Sequence, residues 1–421
     1  MAKTVDVYLH RHLSGHLTQD DHGWLGFTYA ESWLNDPHAI PLSHSLPLRK
    51  KPFNRNECRG FFSGILPEGN KREKIGRNLG ISPRNDFAML ERIGGECAGA
   101  ITFLPAGIPL PEDEHQYRPL TPGQLAKTLK ELPRRPLLAG EDGVRLSLAG
   151  AQDKIAVHLF EGKFSIPLGG APSTHILKPA IEGLEGTVLN EALCMKLAQA
   201  IGLPTANVEI GQAEDVDYLM VERYDRRPVP SSPGAANVTE RLHQEDFCQA
   251  LGIASETKYE NEGGPTLKQC FDLLREISRA PAVDLQRLLD GVIFNFLVGN
   301  NDAHGKNFSM IYSEGISPTE PDARLAPLYD VLCTGFYPDL SQKMAMKIGG
   351  EYLSSKIRPR HFERLAEGAG MAGPLVKRRV PELAEAILSR LPQVTLDHPV
   401  SIRIADFIRG RCGRKLQEFR S

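Results

Sequence analysis

Residues 299–312 read GNNDAHGKNFSMIY, and the spacing inside this stretch decides how the rest of the chain is read. Gly299, Gly305 and Lys306 give it a superficial likeness to a phosphate-binding P-loop. The likeness fails on three counts: five residues separate the glycines instead of four, Asn307 stands where Ser or Thr is needed, and a strand-like FSMIY follows. A Walker loop must open a helix whose N-terminal amides hold the phosphate. Asp302 and Asn307, with four residues between them, instead show the Asp-x-x-x-x-Asn spacing of a protein-kinase catalytic loop. In such a loop the carboxylate takes or orients the proton of the attacking hydroxyl, and the amide oxygen binds a magnesium ion. Lys306 is placed to neutralise charge on the transferred group. Taken alone, the pattern also fits a polar turn after an apolar helix.

Kinase chemistry needs further parts, and candidates exist on both sides of the loop. Downstream, Asp330 in RLAPLYDVLCTGF ends an apolar run, where a carboxylate is costly unless it is exposed or bound to a cation. A solvated turn fits it equally. Upstream, Lys178 in THILKP ends an apolar strand and is the candidate for the α/β-phosphates, with a lysine snorkelling out of a strand end as the plain alternative. Glu191 is a possible helix partner for that lysine, although it lies off the Leu189/Leu193/Leu197 stripe, and an exposed helix carboxylate fits as well. Glu222-Arg223-Tyr224-Asp225 closes the last strand before a Pro/Ser/Gly-rich loop, the place of an adenine-binding hinge, with Asp225 in reach of a ribose. A salt-bridged strand end is the other reading. RLSLAGAQDKIAVHL suggests strand, small-residue turn and strand, a hairpin able to cover phosphates through Ala149, Gly150 and Ala151. GGECAG at 94–99 lacks GxGxxG order and reads as a helix end.

Around these motifs the chain divides by composition. Residues 1–105 carry strand-like runs (VDVYLH, GWLGFTYA, AITFLP) and a helix near DFAMLERIGG. Residues 106–142 are a Pro-rich connector with one helix, roughly Pro122–Glu131, capped by Thr121. Residues 143–225 hold strands at Ile155–Leu159, Phe164–Leu168, His175–Lys178, NVEI and DYLMVER, and a helix of leucines four apart stopped by Gly202. Helical periodicity dominates 226–421. The expected fold class is α+β: a bilobal protein kinase-like fold, β-rich N-lobe and helical C-lobe, with an extra N-terminal β-rich subdomain.

The chain has 421 residues, 50 Lys+Arg against 52 Asp+Glu, and a net charge of −2, so a polycationic nucleic-acid coat or polybasic membrane binder is excluded. Local basic patches remain: Lys377-Arg378-Arg379, and a tail over 403–421 with six Lys/Arg against two acids, are candidates for contact with DNA phosphates, or else solvated helix faces. No stretch is long and apolar enough to span a bilayer. The opening MAKTVDVYLHRHL lacks the apolar core of a signal peptide. Seven scattered cysteines without a CxxC pair point to a reducing compartment and away from a disulfide frame or zinc site. A soluble, cytoplasmic protein is expected, with no membrane partner.

Taken in order, SLAGAQDK, HILKP, NEALCMKLA, VERYDR, RLHQEDFCQALG, NNDAHGKNFS and LYDVL resemble the HipA family of serine/threonine kinases, the toxins of bacterial type II toxin–antitoxin systems. FFSGILPEGN and GGECAGAITFLP resemble the small N-terminal subdomain of the same toxins, so the likeness spans nearly the whole chain. The resemblance implies ATP and Mg²⁺ as cofactors. It makes Ala149, Gly150, Ala151, Gln152, Asp153 and Lys154 the ATP-covering loop, Lys178 the phosphate-binding lysine, and Glu222, Arg223 and Tyr224 the hinge. Asp302 becomes the catalytic aspartate, His304, Gly305, Lys306 and Asn307 the adjacent nucleotide- and metal-binding turn, and Tyr329–Asp330 the second metal site. Ser147 matches the serine that family members autophosphorylate. A small helix-turn-helix antitoxin similar to HipB is implied as partner, carrying the operator DNA. The implied substrate is an aminoacyl-tRNA synthetase, glutamate–tRNA ligase in the founding member, whose phosphorylation stops translation and drives dormancy. Tyr224 stands where Phe is familiar, and Asp153 where Glu is. Two rival functions fit less well. A small-molecule phosphotransferase usually places its aspartate after a His-Gly pair, whereas Asp302 precedes His304-Gly305. A non-catalytic corepressor would not need Lys178, Asp302, Asn307 and Asp330.

Overall fold

The structure, a computed structural model, describes residues 3–110, 116–229, 238–312 and 323–420. Residues 230–237 of the Pro/Ser/Gly-rich loop and 111–115 of the connector lie outside the described residues. The chain folds as two compact units: residues 1–179, 211–256 and 311–322 form one, and 180–210, 257–310 and 323–421 the other.

The first unit opens with a four-stranded antiparallel sheet in the order Leu25–Tyr29, His12–Gln19, Lys3–Leu9, Ile101–Pro105. The strand His12–Gln19 is the one the sequence hides, because Ser14, His16 and Thr18 break its apolar pattern. All three have partners that a sequence pattern does not reveal, Thr18 Oγ1 donating to the Gly26 carbonyl at 3.3 Å. Buried Ser14 donates to the Val7 carbonyl at 2.8 Å, and His16 Nδ1 lies 2.8 Å from Asp6. Gly15 is required on this strand, since a Cβ there would sit 2.5 Å from the Thr28 carbonyl oxygen. Helices Arg55–Gly64 and Asp86–Ile93 supply Phe61, Phe62 and Phe87 to the core with Phe27, Phe53 and Phe103. Phe62 is the middle of that cluster, its ring 5.3 Å from Phe27 and 6.0 Å from Phe103. Asn54 and Glu57 form a capping box that starts the first of these helices.

A second sheet runs Gln116–Pro119, Lys163–Leu168, Ile155–Phe160, His175–Pro179, Val216–Glu222, with Val208–Ala213 as its last strand. The connector therefore contributes an edge strand of its own. It also carries the helix Pro122–Glu131, where Thr121 caps and Gln124 completes the box as the spacing predicts. The second unit is mainly helical: Thr187–Ala200, Leu267–Ile277, Pro281–Val298, Pro359–Gly368, Gly373–Val394 and Pro399–Arg420, with a hairpin of Lys343–Ile348 and Glu351–Leu353. Among the described residues no helix is long and apolar enough to cross a membrane. All seven cysteines are buried, and none forms a disulfide among the described residues.

One buried acid ties distant segments of the first unit together. Glu245 accepts from Ser43 Oγ at 2.5 Å, from the His44 backbone N–H at 3.0 Å and from the Tyr312 hydroxyl. Burial outweighs these donors and pushes its carboxyl from 4.5 up to about 7. The folded chain therefore keeps a proton that the unfolded chain has lost, and stability falls as pH rises between those values. Glu245→Gln removes the titration. Its stability relative to the wild type, followed by thermal unfolding from pH 5 to pH 8, should improve with rising pH by up to about 3 kcal/mol. A pH-independent difference would contradict this.

Candidate active site

Helix Pro281–Val298 ends in Gly299 at φ +83°, a left-handed cap that turns the chain into the 300–307 loop. Asn295, which interrupts the apolar run of this helix, is buried for a reason. Its Nδ2 donates to the Gly291 carbonyl at 2.9 Å, and its Oδ1 accepts from Asn300 Nδ2 at 2.8 Å. Asn300 Oδ1 in turn accepts the Asp302 backbone N–H at 3.2 Å. A ladder of neutral amides thus carries the position of the helix to Asp302. Asp302 is exposed while residues 303–307 are buried. The Tyr259 hydroxyl donates to its Oδ1 at 2.9 Å.

The rest of the loop closes on itself. The His304 N–H reaches the Asp302 carbonyl at 2.8 Å, and the Asn307 N–H reaches the His304 carbonyl at 2.9 Å, around the 3-10 turn Gly305–Asn307. Tyr329 donates its hydroxyl proton to the Lys306 carbonyl at 2.7 Å, so Ser309 Oγ must be the donor in its 2.6 Å bond to Tyr329. Asn307 Nδ2 meets the Asp330 backbone carbonyl at 3.4 Å, which places the two oxygen-bearing residues side by side. Oxygen donors of this kind are what Mg²⁺ takes, so the pair fits the metal. Asp330 holds φ +58°, a left-handed conformation that costs a non-glycine residue about 1–2 kcal/mol and is typical of functional turns.

In the first unit, Lys178 sits opposite Leu219 in the sheet and is only 6 % exposed. It does not snorkel to solvent, and a buried ammonium requires compensating charge or hydrogen bonds. Glu191, in the second unit, is 1 % exposed, which removes the exposed-carboxylate reading. The leucine stripe misleads because helix Thr187–Ala200 is buried on nearly every side, polar Asn190 included.

The segment around Ala149–Lys154 departs from the expected hairpin. Only Ile155–Phe160 forms a strand; the preceding residues instead make isolated parallel bridges, Leu146 with Glu96 and Gly150 with Pro67. Glu96 N–H donates to the Arg145 carbonyl at 2.8 Å, Ser147 N–H to the Glu96 carbonyl at 2.9 Å, and Glu68 N–H to the Gly150 carbonyl at 3.2 Å. Ser147 is fully buried, its hydroxyl donating to the Ile65 carbonyl at 3.0 Å. Gly150 needs φ +101°, Lys154 Nζ folds back on the Ala149 carbonyl at 2.7 Å, and Asp153 pairs with Lys71 at 2.5 Å. Gln152 is half-buried beside them.

The hinge candidates split into two kinds. Glu222 is exposed and Tyr224 half-buried, its hydroxyl bonded to Gln244. Arg223 and Asp225 are instead consumed by a buried ion cluster. Arg223 grips Asp225 with two bonds of 3.0 and 2.8 Å, and the Gly99 N–H adds a third at 2.7 Å. Arg223 also reaches Glu96 at 3.0 Å, as does Arg226 at 2.8 Å, and Arg241 meets the other Glu96 oxygen. The ribose contact expected of Asp225 is therefore corrected to a structural role: its oxygens are spent inside the protein. Burial pushes the Glu96 carboxyl up, but the charges of Arg226, Arg241 and Arg223 prevail and hold it at about 2. Glu96, read from sequence as part of a helix end, is the residue that the motifs miss.

The basic run is also resolved. Lys377 lies 3.5 Å from Glu363, Arg378 3.0 Å from Glu382, and Arg379 pairs with Asp290 at 2.7 Å. Each cation has an acid in its own unit, and the Lys377 and Arg378 side chains stay 49 % and 70 % exposed.

A buried strand lysine, an Asp-x-x-x-x-Asn loop and a second carboxylate in a strained turn are the parts of a kinase. Comparison with known proteins identifies which kind. Residues 5–104 match the HipA N-terminal domain and residues 146–394 the HipA-like C-terminal domain. The chain is 47 % identical over 403 residues to the Sinorhizobium fredii protein Y4mE, covering 94 % of this chain and 93 % of the relative. It is 32 % identical over 388 residues to the serine/threonine-protein kinase toxin HipA of Shewanella oneidensis, covering 88 % and 85 %. Its fold matches HipA in a Shewanella oneidensis complex of HipA, HipB and operator DNA, with TM-score 0.85, 29 % identity, and 99 % and 98 % coverage. The chain belongs to the HipA family of serine/threonine-protein kinases, and the expected α+β kinase-like fold with its N-terminal β subdomain is confirmed.

Removing Glu96 would leave three guanidinium groups without their shared counter-charge. Glu96→Ala should cost about 3–5 kcal/mol, read as a lowered unfolding midpoint in urea. A loss below about 1 kcal/mol would show that the cluster does not hold the unit together.

Proposed function

We propose that this HipA-family kinase transfers the γ-phosphoryl group of ATP to a serine or threonine of a translation protein, an aminoacyl-tRNA synthetase, and thereby arrests growth. Glutamate–tRNA ligase is the first target to try. The observation that carries the reading is the exposed Asp302 at the end of the Asn295–Asn300 amide ladder, the one exposed member of an otherwise buried loop. Asp302 takes or orients the proton of the acceptor hydroxyl, and the Tyr259 hydrogen bond fixes which carboxylate oxygen is turned away from that task. Lys178 holds the α/β-phosphates, Ala149–Lys154 cover them, and Glu222–Tyr224 present backbone groups to the adenine. His304 and Gly305 shape the nucleotide turn, and Lys306 balances charge on the group in flight. Asn307 and Asp330 would hold Mg²⁺, which when bound draws negative charge from the phosphate oxygens. The protein's share of catalysis is positioning and charge neutralisation.

The Shewanella HipA was solved with HipB and operator DNA. We assign this chain an equivalent helix-turn-helix antitoxin, with DNA held mainly by that partner, because Lys377, Arg378 and Arg379 are already ion-paired. Ser147 is assigned as the site of autophosphorylation. A phosphate of about −1.5 to −2 charges cannot be accommodated where its hydroxyl now sits, so modification must expel the segment from its bridges.

Phosphoproteomics of cells expressing the wild-type chain or Asp302→Ala tests both assignments. The wild type should label a synthetase and its own Ser147, and Asp302→Ala should lower both by about 10²-fold or more. Equal labelling by the variant would refute the role of Asp302. A wild-type chain that labels the synthetase with Ser147 unmodified would refute the assignment of Ser147.

A further inference from the structure

Beside Asp302 lies a cavity of about 440 Å³ formed wholly within the second unit. Tyr259, Glu262, Asn301, Met344 and Tyr352 line it together with Asp302. A cavity of this size is ample for one or two side chains of a bound segment. Its place is informative, because the only part of the substrate that must come to Asp302 is the acceptor hydroxyl and the chain that bears it.

The chemistry of the lining points to one kind of occupant. Glu262 and Asp302 contribute two carboxylates, against the single ammonium of Lys343. Asn301 is 5 % exposed; its Nδ2 donates to the Ser341 carbonyl at 3.3 Å, and its backbone carbonyl accepts from the Ala345 N–H at 2.8 Å. Its side-chain oxygen Oδ1 is buried and has no hydrogen-bond partner among the described residues. A buried amide oxygen is costly to leave unpaired, so this atom marks a place for a donor. Two tyrosine rings and the buried Met344 side chain add apolar wall. Surplus acceptors beside apolar wall suit a long aliphatic stem that ends in a cationic donor.

We propose that this cavity is the acceptor-side specificity pocket of the kinase, receiving a lysine or arginine side chain that neighbours the phosphorylated serine or threonine in an extended protein segment. The proposal rests on the kinase reading of Asp302 and names the substrate class it selects. Glu262 pairs with the cationic head, Asn301 Oδ1 accepts one of its protons, and Tyr259 and Met344 flank the stem. Because Tyr259 also holds Asp302, occupation of the pocket and placement of the hydroxyl are coupled through one side chain.

The test is a peptide library with a fixed serine and every residue scanned at the flanking positions, phosphorylated by the full chain with ATP and Mg²⁺. The wild type should prefer Lys or Arg by about fivefold at one position within two residues of the serine. Glu262 is exposed, so Glu262→Gln should fold normally and flatten that preference, while Glu262→Arg should turn it toward Asp or Glu. A wild-type profile indifferent to basic neighbours, or a basic preference unchanged in both variants, overturns the pocket. If the wild type labels no peptide and no protein above Asp302→Asn, the kinase reading itself fails and the pocket assignment falls with it.

Discussion

A carboxylate buried in its charged form must be answered by cations, and Glu96 is answered by three. Its side chain gathers Arg223, Arg226 and Arg241, and Ser173 adds a backbone N–H at 2.9 Å and a hydroxyl at 2.8 Å. Its own backbone faces the other way, bonding the residues on either side of Leu146. One residue therefore fixes both the end of the strand proposed to meet adenine and the segment proposed to cover phosphate. This explains why the two glycines before it lead into a buried corner and not out to solvent. It also explains why the side chains of Arg223 and Asp225 are spent inside the protein, since the buried cluster needs their charges for balance.

The second unit solves its positioning problem without charge. Asn295 and Asn300 relay geometry from the helix to Asp302 through neutral amides, so the loop is tied to the helix without a further charge beside the aspartate. Ionic anchors at that place would compete with substrate and metal. Tyr329 does the corresponding work beneath Lys306, and Asp330 holds its strained backbone where its carbonyl meets Asn307. The cavity next to Asp302 extends the same logic to the acceptor, with acceptor atoms left over for a donor to satisfy.

Much of this was legible in the sequence where chemistry depends on short spacing. Asp302 and Asn307, the helix cap at Thr121, the strand of Lys178 and the stop at Gly202 all follow from residues within one turn or one strand of each other. What escaped depends on partners far along the chain. Glu96 and Arg223 are 127 residues apart, and nothing in GGECAG announces a buried anion. The expected hairpin before Ile155 failed because Leu146 and Gly150 find better partners at Glu96 and Pro67, a tertiary choice that alternation cannot express. Glu191 keeps two readings in the sequence because a leucine stripe implies a polar opposite face only when that face meets water, and here it does not.

The central claim is that Asn307 and Asp330 make this chain a metal-dependent user of ATP. Equilibrium titration of ATP, with and without Mg²⁺, tests it most directly in the wild type and in Asp330→Asn. Wild-type binding should tighten with Mg²⁺, and the variant should lose that tightening while retaining its metal-free affinity. An Asp330→Asn protein whose ATP affinity still rises with Mg²⁺ as the wild type's does would contradict the account.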